Sequence, residues 1–360
     1  MRNETRRRRL VLFPCPYQGH INPMLQLGTI LYSNGFSITI VHTNFNAPNP
    51  QGHPHFSFVS LPDGLSENDI STGDITRILT TINDNCKLPS IILRTTSSAT
   101  FLARYALLTL QAQGYEPFQD SISHEMVPKL HPLRFKDLPL PKSEDLKRAA
   151  QLVVDSYTIR SSSAVIWNTM DGLEQSCLMK IQEEYYCPVP IFPIGPMHKF
   201  ASRTNNSTTA SLLKEDSSCI AWLDKQSHNS VIYRATFLWV IRPGSVSGSD
   251  WVELLPKGFR DGVGERGCIV KWAPQKEVLG HEAVGVNARY VCHEWRVGLE
   301  LEKLERKDIE RAIRKLILDD EGKDMRVRAK DLKEKVEVST RQGGSSHKYL
   351  NGLVDFIMSF

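Results

Sequence analysis

At 360 residues the chain exceeds the ~250–300 residues at which a single core usually stops growing, so two domains are expected. Its 41% hydrophobic and 23% charged residues exclude a disordered chain, and no run approaches the ~20 apolar residues of a membrane span. The net charge is only +4, and four positive charges sit together at Arg6 to Arg9, so the near-neutral body offers no nucleic-acid surface.

The first element is "RLVLFP". Basic residues precede it as in a signal peptide, but Pro14 and Pro16 interrupt the apolar stretch before it reaches the ~7–15 residues of an h-region, so a buried strand is expected. "GHINPMLQLGTILYSNG" follows as a helix, with Met24, Leu25, Leu27, Ile30 and Leu31 apolar and Gly35 placed to end it as a C′ glycine. "SITIVHT" is the next strand, which makes a βαβ opening and predicts a parallel sheet. "HFSFVSLP" reads as a strand, "SIILRTTSSATFLARYALLTLQAQG" as a strand running into a helix, and "AVIWNT" as a strand before the helix of "MDGLEQSCLMKIQEEY".

This rhythm defines a first domain over 1–196. The polar, Ser/Thr/Asn-rich stretch over 197–218 reads as a linker. A second rhythm over 219–345 opens with "SVIY", "FLWVIRP" and "GCIVKWAP" and ends in helices, one with Ile309, Ile313, Leu316 and Ile317 on a face and another with Leu332 and Val336. A last helix over 346–360 groups Leu350, Leu353, Val354 and Ile357 behind Ser345 or Ser346 as N-cap. The seven cysteines are scattered, with no C-x-x-C, which fits a reducing cytoplasm. The sequons at Asn3, Asn205 and Asn206 are then coincidental.

Spacing exposes an irregularity. Parallel strands need a crossover of ~10–12 residues or more, yet only Arg234, Ala235 and Thr236 separate "SVIY" from "FLWVI". A similar compression occurs at "INDNCKLPSIIL", and Gly285 meets Val286 with no intervening block. These three places suggest lost segments.

The residues "FPCPYQGHINPMLQLGTIL", "FLWVIRPG", "WAPQKEVLGHEAVG" and "VNARYV" resemble the plant family 1 UDP-dependent glycosyltransferases, and the likeness runs from Arg9 to Phe360. It implies the α/β GT-B architecture: two Rossmann-like domains with parallel sheets, the first binding the acceptor, the second, here incomplete, binding the UDP-sugar. The last helix returns to the first domain. His20, at a helix start after the first strand, is by this resemblance the general base that deprotonates a hydroxyl or carboxyl acceptor as UDP is displaced with inversion. The competing explanation is a histidine that merely satisfies backbone groups there. Its usual aspartate partner lies on a strand that this chain lacks, and neither Asp74 nor Asp84 stands in its context.

Trp272 would stack on uracil, the Ala273 backbone would read its edge and Gln275 would contact ribose or base. His281 belongs to the same motif as a structural residue. Gly19, Thr96 and Ser97 match positions on the acceptor or sugar side, although hydroxyls after a strand also cap helices. The resemblance implies no metal and no cofactor, a UDP-sugar donor, a small-molecule acceptor and a cytoplasmic monomer. The diphosphate-binding block expected after Gly285 is gone, so the alternative is an inactive remnant that binds a small molecule or a protein. No G-x-G-x-x-G follows either first strand, which disfavours a dinucleotide enzyme.

Overall fold

A computed structural model describes residues 7–62, 91–112, 124–128, 130–131, 133–135, 163–184, 189–201, 216–225, 237–240, 267–271, 290–299 and 306–360. They divide into two compact units, one of Met1–Ala210 with Leu318–Phe360 and one of Ser211–Ile317.

In the first unit β1 (Arg9–Leu12), α1 (Gln18–Ser33), β2 (Ser37–Thr43) and β3 (Ser57–Leu61) form the expected opening. β1 and β2 pair in parallel with Leu10 opposite Ile38, and β2 and β3 pair in parallel with Ile40 opposite Phe58. The turn after α1 is set by backbone chemistry. Gly35 takes φ +92, its N–H reaches the Tyr32 carbonyl at 3.0 Å, and the Phe36 N–H reaches Leu31 at 3.2 Å. That pair of bonds is a Schellman cap, and Phe36, 1% exposed, plugs the core below it. Leu25, Leu27, Ile30 and Leu31 are buried as the pattern predicts, Ile21 joins them, and Met24 is only half-buried.

A second parallel sheet holds β4 (Ile92–Arg94), β5 (Val165–Trp167) and β6 (Ile191–Pro193). Against it pack α2 (Ser98–Ala112) and α3 (Asp171–Glu184), with Phe101 edge-on to Trp167 at 5.3 Å within a buried cluster that includes Phe135, Leu178 and Ile181. β1 and β4 are the outer strands of their sheets among the described residues, and Val11 on β1 is 57% exposed. A continuous doubly wound sheet would join β1 to β4; among the described residues no pairing joins them.

Residues Met197–Ala201, placed in the linker by composition, form a short helix, α4, that packs on α1. The reason is local: Met197 and Phe200 are buried, and the Met197 N–H donates to Asn168 Oδ1 at 3.0 Å.

The second unit contains α5 (Ser218–Leu223), β7 (Phe237–Val240), β8 (Gly267–Val270), a π-helical turn over Tyr290–Glu294 and α6 (Arg306–Leu318). β7 and β8 pair in parallel, with Leu238 opposite Cys268, and α5 packs on β8. On α6, Ile313 and Leu316 are half-buried but Ile317 is 49% exposed, so the predicted apolar face is narrower than the sequence implies.

Helices α7 (Asp320–Thr340) and α8 (Ser345–Met358) belong to the first unit. Leu350, Leu353 and Ile357 of α8 are buried and the helix lies on β6, with Phe356 5.7 Å from Phe192. Its N-cap is Gly344, not Ser345 or Ser346. The serines serve longer-range bonds instead: Ser346 Oγ donates to the Gly195 carbonyl and Ser345 Oγ to Asp171 Oδ1, each at 2.7 Å.

Candidate functional site

The site is built where two edge strands end. β1 leads through a tight turn, in which the Tyr17 N–H bonds the Cys15 carbonyl at 2.8 Å, into α1. Tyr17 is the N-cap residue and makes no side-chain cap bond, so Gln18, Gly19 and His20 are the first three helical positions. Gly19 is exposed, with open space where a Cβ would stand. Pro23 lies inside this helix; lacking an N–H, it leaves the Gly19 carbonyl without its i+4 donor. Asn46, at φ +53 after β2, ties the turn down through Nδ2 to the Pro16 carbonyl at 2.9 Å.

His20 is half-buried. Its Nδ1 lies 3.1 Å from the hydroxyl of Thr95, the first residue after β4. This contact joins the carboxyl ends of the two sheets. Sequence reasoning passed over Thr95 in favour of its neighbours; the available signal was its place directly beyond the strand end, where ligands of open α/β sheets gather.

Thr96 and Ser97 follow in the same loop. The Thr96 carbonyl accepts from Trp167 Nε1 at 2.7 Å, which pins the loop to the core. Ser97 Oγ accepts from the Thr100 N–H at 3.1 Å and therefore caps α2. The two amides between them point to a buried carboxylate: Glu174, 5% exposed, accepts from the Ser98 N–H at 3.0 Å and, at a long 3.5 Å, from Ala99. The start of α2 is thus already occupied by an internal anion, and it has no spare donors for a phosphate. Cys15 beside the turn is no nucleophile, because burial pushes its thiol up to about 12 and keeps it protonated at neutral pH.

In the second unit β8 ends at Val270, two residues before the tryptophan motif. Trp272, Ala273, Gln275 and His281 lie outside the described residues, as do Asp74 and Asp84. "CHEWRVG" is described: the Val297 and Gly298 N–H groups both bond the Val291 carbonyl, at 2.7 and 3.1 Å, in a closed backbone turn. Among the described residues no three His, Cys, Asp or Glu side chains cluster as a metal site, and no helix is long and apolar enough to cross a membrane.

No protein-family model matches the chain. Curated relatives do. UDP-glycosyltransferase 76E1 of Solanum lycopersicum is 41% identical over 450 aligned positions, covering 98% of this chain and 93% of the relative. UDP-glycosyltransferase 76B1 of Arabidopsis thaliana is 37% identical, covering 98% of both, and flavonol 3-O-glucosyltransferase UGT76E12 of the same plant is 35% identical, covering 99% and 98%. The first alignment exceeds the 360 residues of this chain by 90 positions, so at least that many positions of the relative have no counterpart here. Among solved structures, Os79 from O. sativa in complex with UDP superposes with a TM-score of 0.70 at 21% identity, covering 96% of this chain and 99% of that one. A UGT transferase from Siraitia grosvenorii in complex with UDP gives 0.67 at 20%, covering 97% and 99%. The fold is therefore GT-B, and identity at this level along nearly the whole length shows that the chain belongs to the plant UDP-glycosyltransferases, in their 76 group.

Proposed function

We propose that the chain transfers glucose from UDP-glucose to a hydroxyl or carboxyl of a small-molecule acceptor, with inversion, and that His20 is the base. The observation that carries this reading is the placement of a half-buried imidazole at the carboxyl end of β1, on an uncapped helix start, with Nδ1 engaged by a hydroxyl. Nε2 is then the atom that takes the acceptor's proton as the acceptor oxygen bonds to the anomeric carbon. The bond from that carbon to the β-phosphate oxygen breaks on the opposite face, and UDP leaves with the electron pair. The imidazolium afterwards releases its proton to solvent.

In the same reading, 1–196 with the helix 346–360 binds the acceptor and 219–345 the donor, except that α7, within the latter range, belongs to the first compact unit; Trp272 lies under uracil, with Ala273 and Gln275 at its edge and ribose. Gly19, Thr96 and Ser97 border the acceptor or sugar; Ser97 does so as a helix cap. The protein acts as a monomer in the cytoplasm, in keeping with the five free cysteines among the described residues. A flavonol is a suitable first acceptor, since one relative is a flavonol 3-O-glucosyltransferase.

A second reading, a non-catalytic remnant that retains binding alone, is favoured by the 90 unmatched positions. Calorimetric titration separates them. Diphosphate contacts use charge-assisted bonds worth about twice neutral ones, so a functional donor site binds UDP-glucose and UDP much more tightly than uridine. Equal, weak binding of all three supports the remnant.

A further inference from the structure

We propose that Asn46 is a positioning residue for His20: from the carboxyl end of β2 its amide grips the peptide that leads into α1, and so sets where the imidazole stands. This rests on the reading of His20 as the base.

The entry to α1 is not held by a cap of its own. Tyr17, at the N-cap, makes no side-chain cap bond, and Pro23 removes the N–H that the Gly19 carbonyl would otherwise receive. This lightly held first turn carries His20 at its third position, with its N–H bonded to the Tyr17 carbonyl at 2.8 Å. The Pro16–Tyr17 peptide just ahead of it is fixed at both ends. Its N–H donates back to the Cys15 carbonyl at 2.8 Å, and its carbonyl accepts from Asn46 Nδ2 at 2.9 Å, across 30 residues of sequence.

The loop that supplies this amide is itself braced. Asn46 stands at φ +53, a left-handed conformation that asparagine tolerates better than most residues with a side chain. Beside it the Phe45 ring meets the Tyr17 ring edge-on at 6.1 Å, so the loop touches the turn at two neighbouring residues. The Thr43 hydroxyl donates to the Phe45 carbonyl at 3.1 Å, and the hydroxyl of Ser60 on β3 donates to Asn44 Oδ1. β2 and β3 pair as far as Thr43 opposite Leu61, so the sheet carries the brace. The helix that presents the base therefore takes its place from the sheet through Asn46. A general base must come within about 2.6–3.2 Å of the oxygen whose proton it takes, a tolerance that a loosened helix entry exceeds.

The test uses the full chain. Asn46→Gly keeps the left-handed backbone and removes the amide, whereas Asn46→Asp keeps the shape but turns an acceptor toward the Pro16 carbonyl. Asn34→Ala is the control, because it removes a bond of the same kind, Asn34 Nδ2 to the Ile30 carbonyl at 2.8 Å, from the far end of the same helix. The ring ¹H–¹³C signals of His20, assigned by the resonance lost in His20→Ala, should move in Asn46→Gly, move further in Asn46→Asp and stay in place in Asn34→Ala. Exchange of the His20 and Ile21 amides should quicken by up to about tenfold in the Asn46 variants alone, the loss expected of one neutral hydrogen bond. In turnover, Asn46→Gly should lower kcat about three- to tenfold, and Asn46→Asp more, with KM for UDP-glucose unchanged. Ring signals and amide exchange in Asn46→Asp identical to wild type overturn the inference, as does an equal response in Asn34→Ala. An unchanged kcat in Asn46→Asp, with turnover that depends on His20, also overturns it. Turnover that is absent from wild type or survives His20→Ala refutes the base reading instead, and the ring and exchange data still decide whether Asn46 sets the place of His20, so the two failures are distinct.

Discussion

Glu174 offers the sharpest test of how the site loop is held. Its carboxylate is 5% exposed, stands at a non-helical position inside α3 (φ −134, ψ 28) and accepts from the first amides of α2. A hydrogen bond to a charged group contributes about 1.5–3 kcal/mol, and an anion at a partly buried helix start adds up to about 2 kcal/mol. The Ala99 contact, at 3.5 Å, adds little. Glu174→Gln keeps an acceptor but loses the charge, and should cost about 1–2 kcal/mol. Glu174→Ala leaves the buried Ser98 amide unpaired beside a small cavity, and should cost about 2–4 kcal/mol. Hydrogen exchange of the peptide spanning 95–105 reads this directly: a loss of about 2 kcal/mol speeds exchange through opening roughly 30-fold. The Thr95–His20 contact should loosen with it. Exchange in Glu174→Ala equal to that of wild type would refute the claim that this carboxylate anchors the loop.

Two further outcomes follow from burial. Gly195→Ala should destabilise the first unit by at least about 1–3 kcal/mol, because the added Cβ meets backbone atoms of Asn168 and Thr169, at 2.6 Å from the Asn168 carbonyl carbon, and backbone cannot rotate away; thermal melting beside wild type measures it. His53 is 8% exposed, stacked on Phe56 at 5.0 Å, and burial lowers its pKa from the ordinary 6.5. The unfolded chain then binds more protons below pH 6.5, so this histidine's contribution is present above that pH and is lost as the pH falls. Urea titrations should show a shallower stability loss between pH 6.5 and 5 in His53→Gln; an unchanged slope would contradict the assignment.

Much of the first unit was legible because its signals are local. Alternation in "SITIVHT", the apolar stripe from Leu25 to Leu31 and the glycine that must adopt positive φ at 35 each encode geometry within a few residues. What escaped was set by contacts distant in sequence. Ser346 could not be known to bond Gly195, 151 residues away, so its hydroxyl reads as a cap. Glu174 looks like an exposed helix residue until the start of α2 is placed beside it. Thr95 is indistinguishable from Thr96 in a string, since only the approach of β4's end to His20 separates their roles. The irregular spacing was legible too: three compressed places pointed to lost segments, and the alignment with the Solanum lycopersicum relative runs 90 positions longer than this chain.

Product analysis tests the central claim most directly. Purified chain is incubated with UDP-glucose and a flavonol, alongside His20→Ala, and any glucoside is resolved by NMR at its anomeric proton. Formation of the β-glucoside by wild type, with a loss of at least about 100-fold in His20→Ala, is the predicted result. No glucoside from wild type, an α-glucoside, or equal yield from both proteins would contradict it.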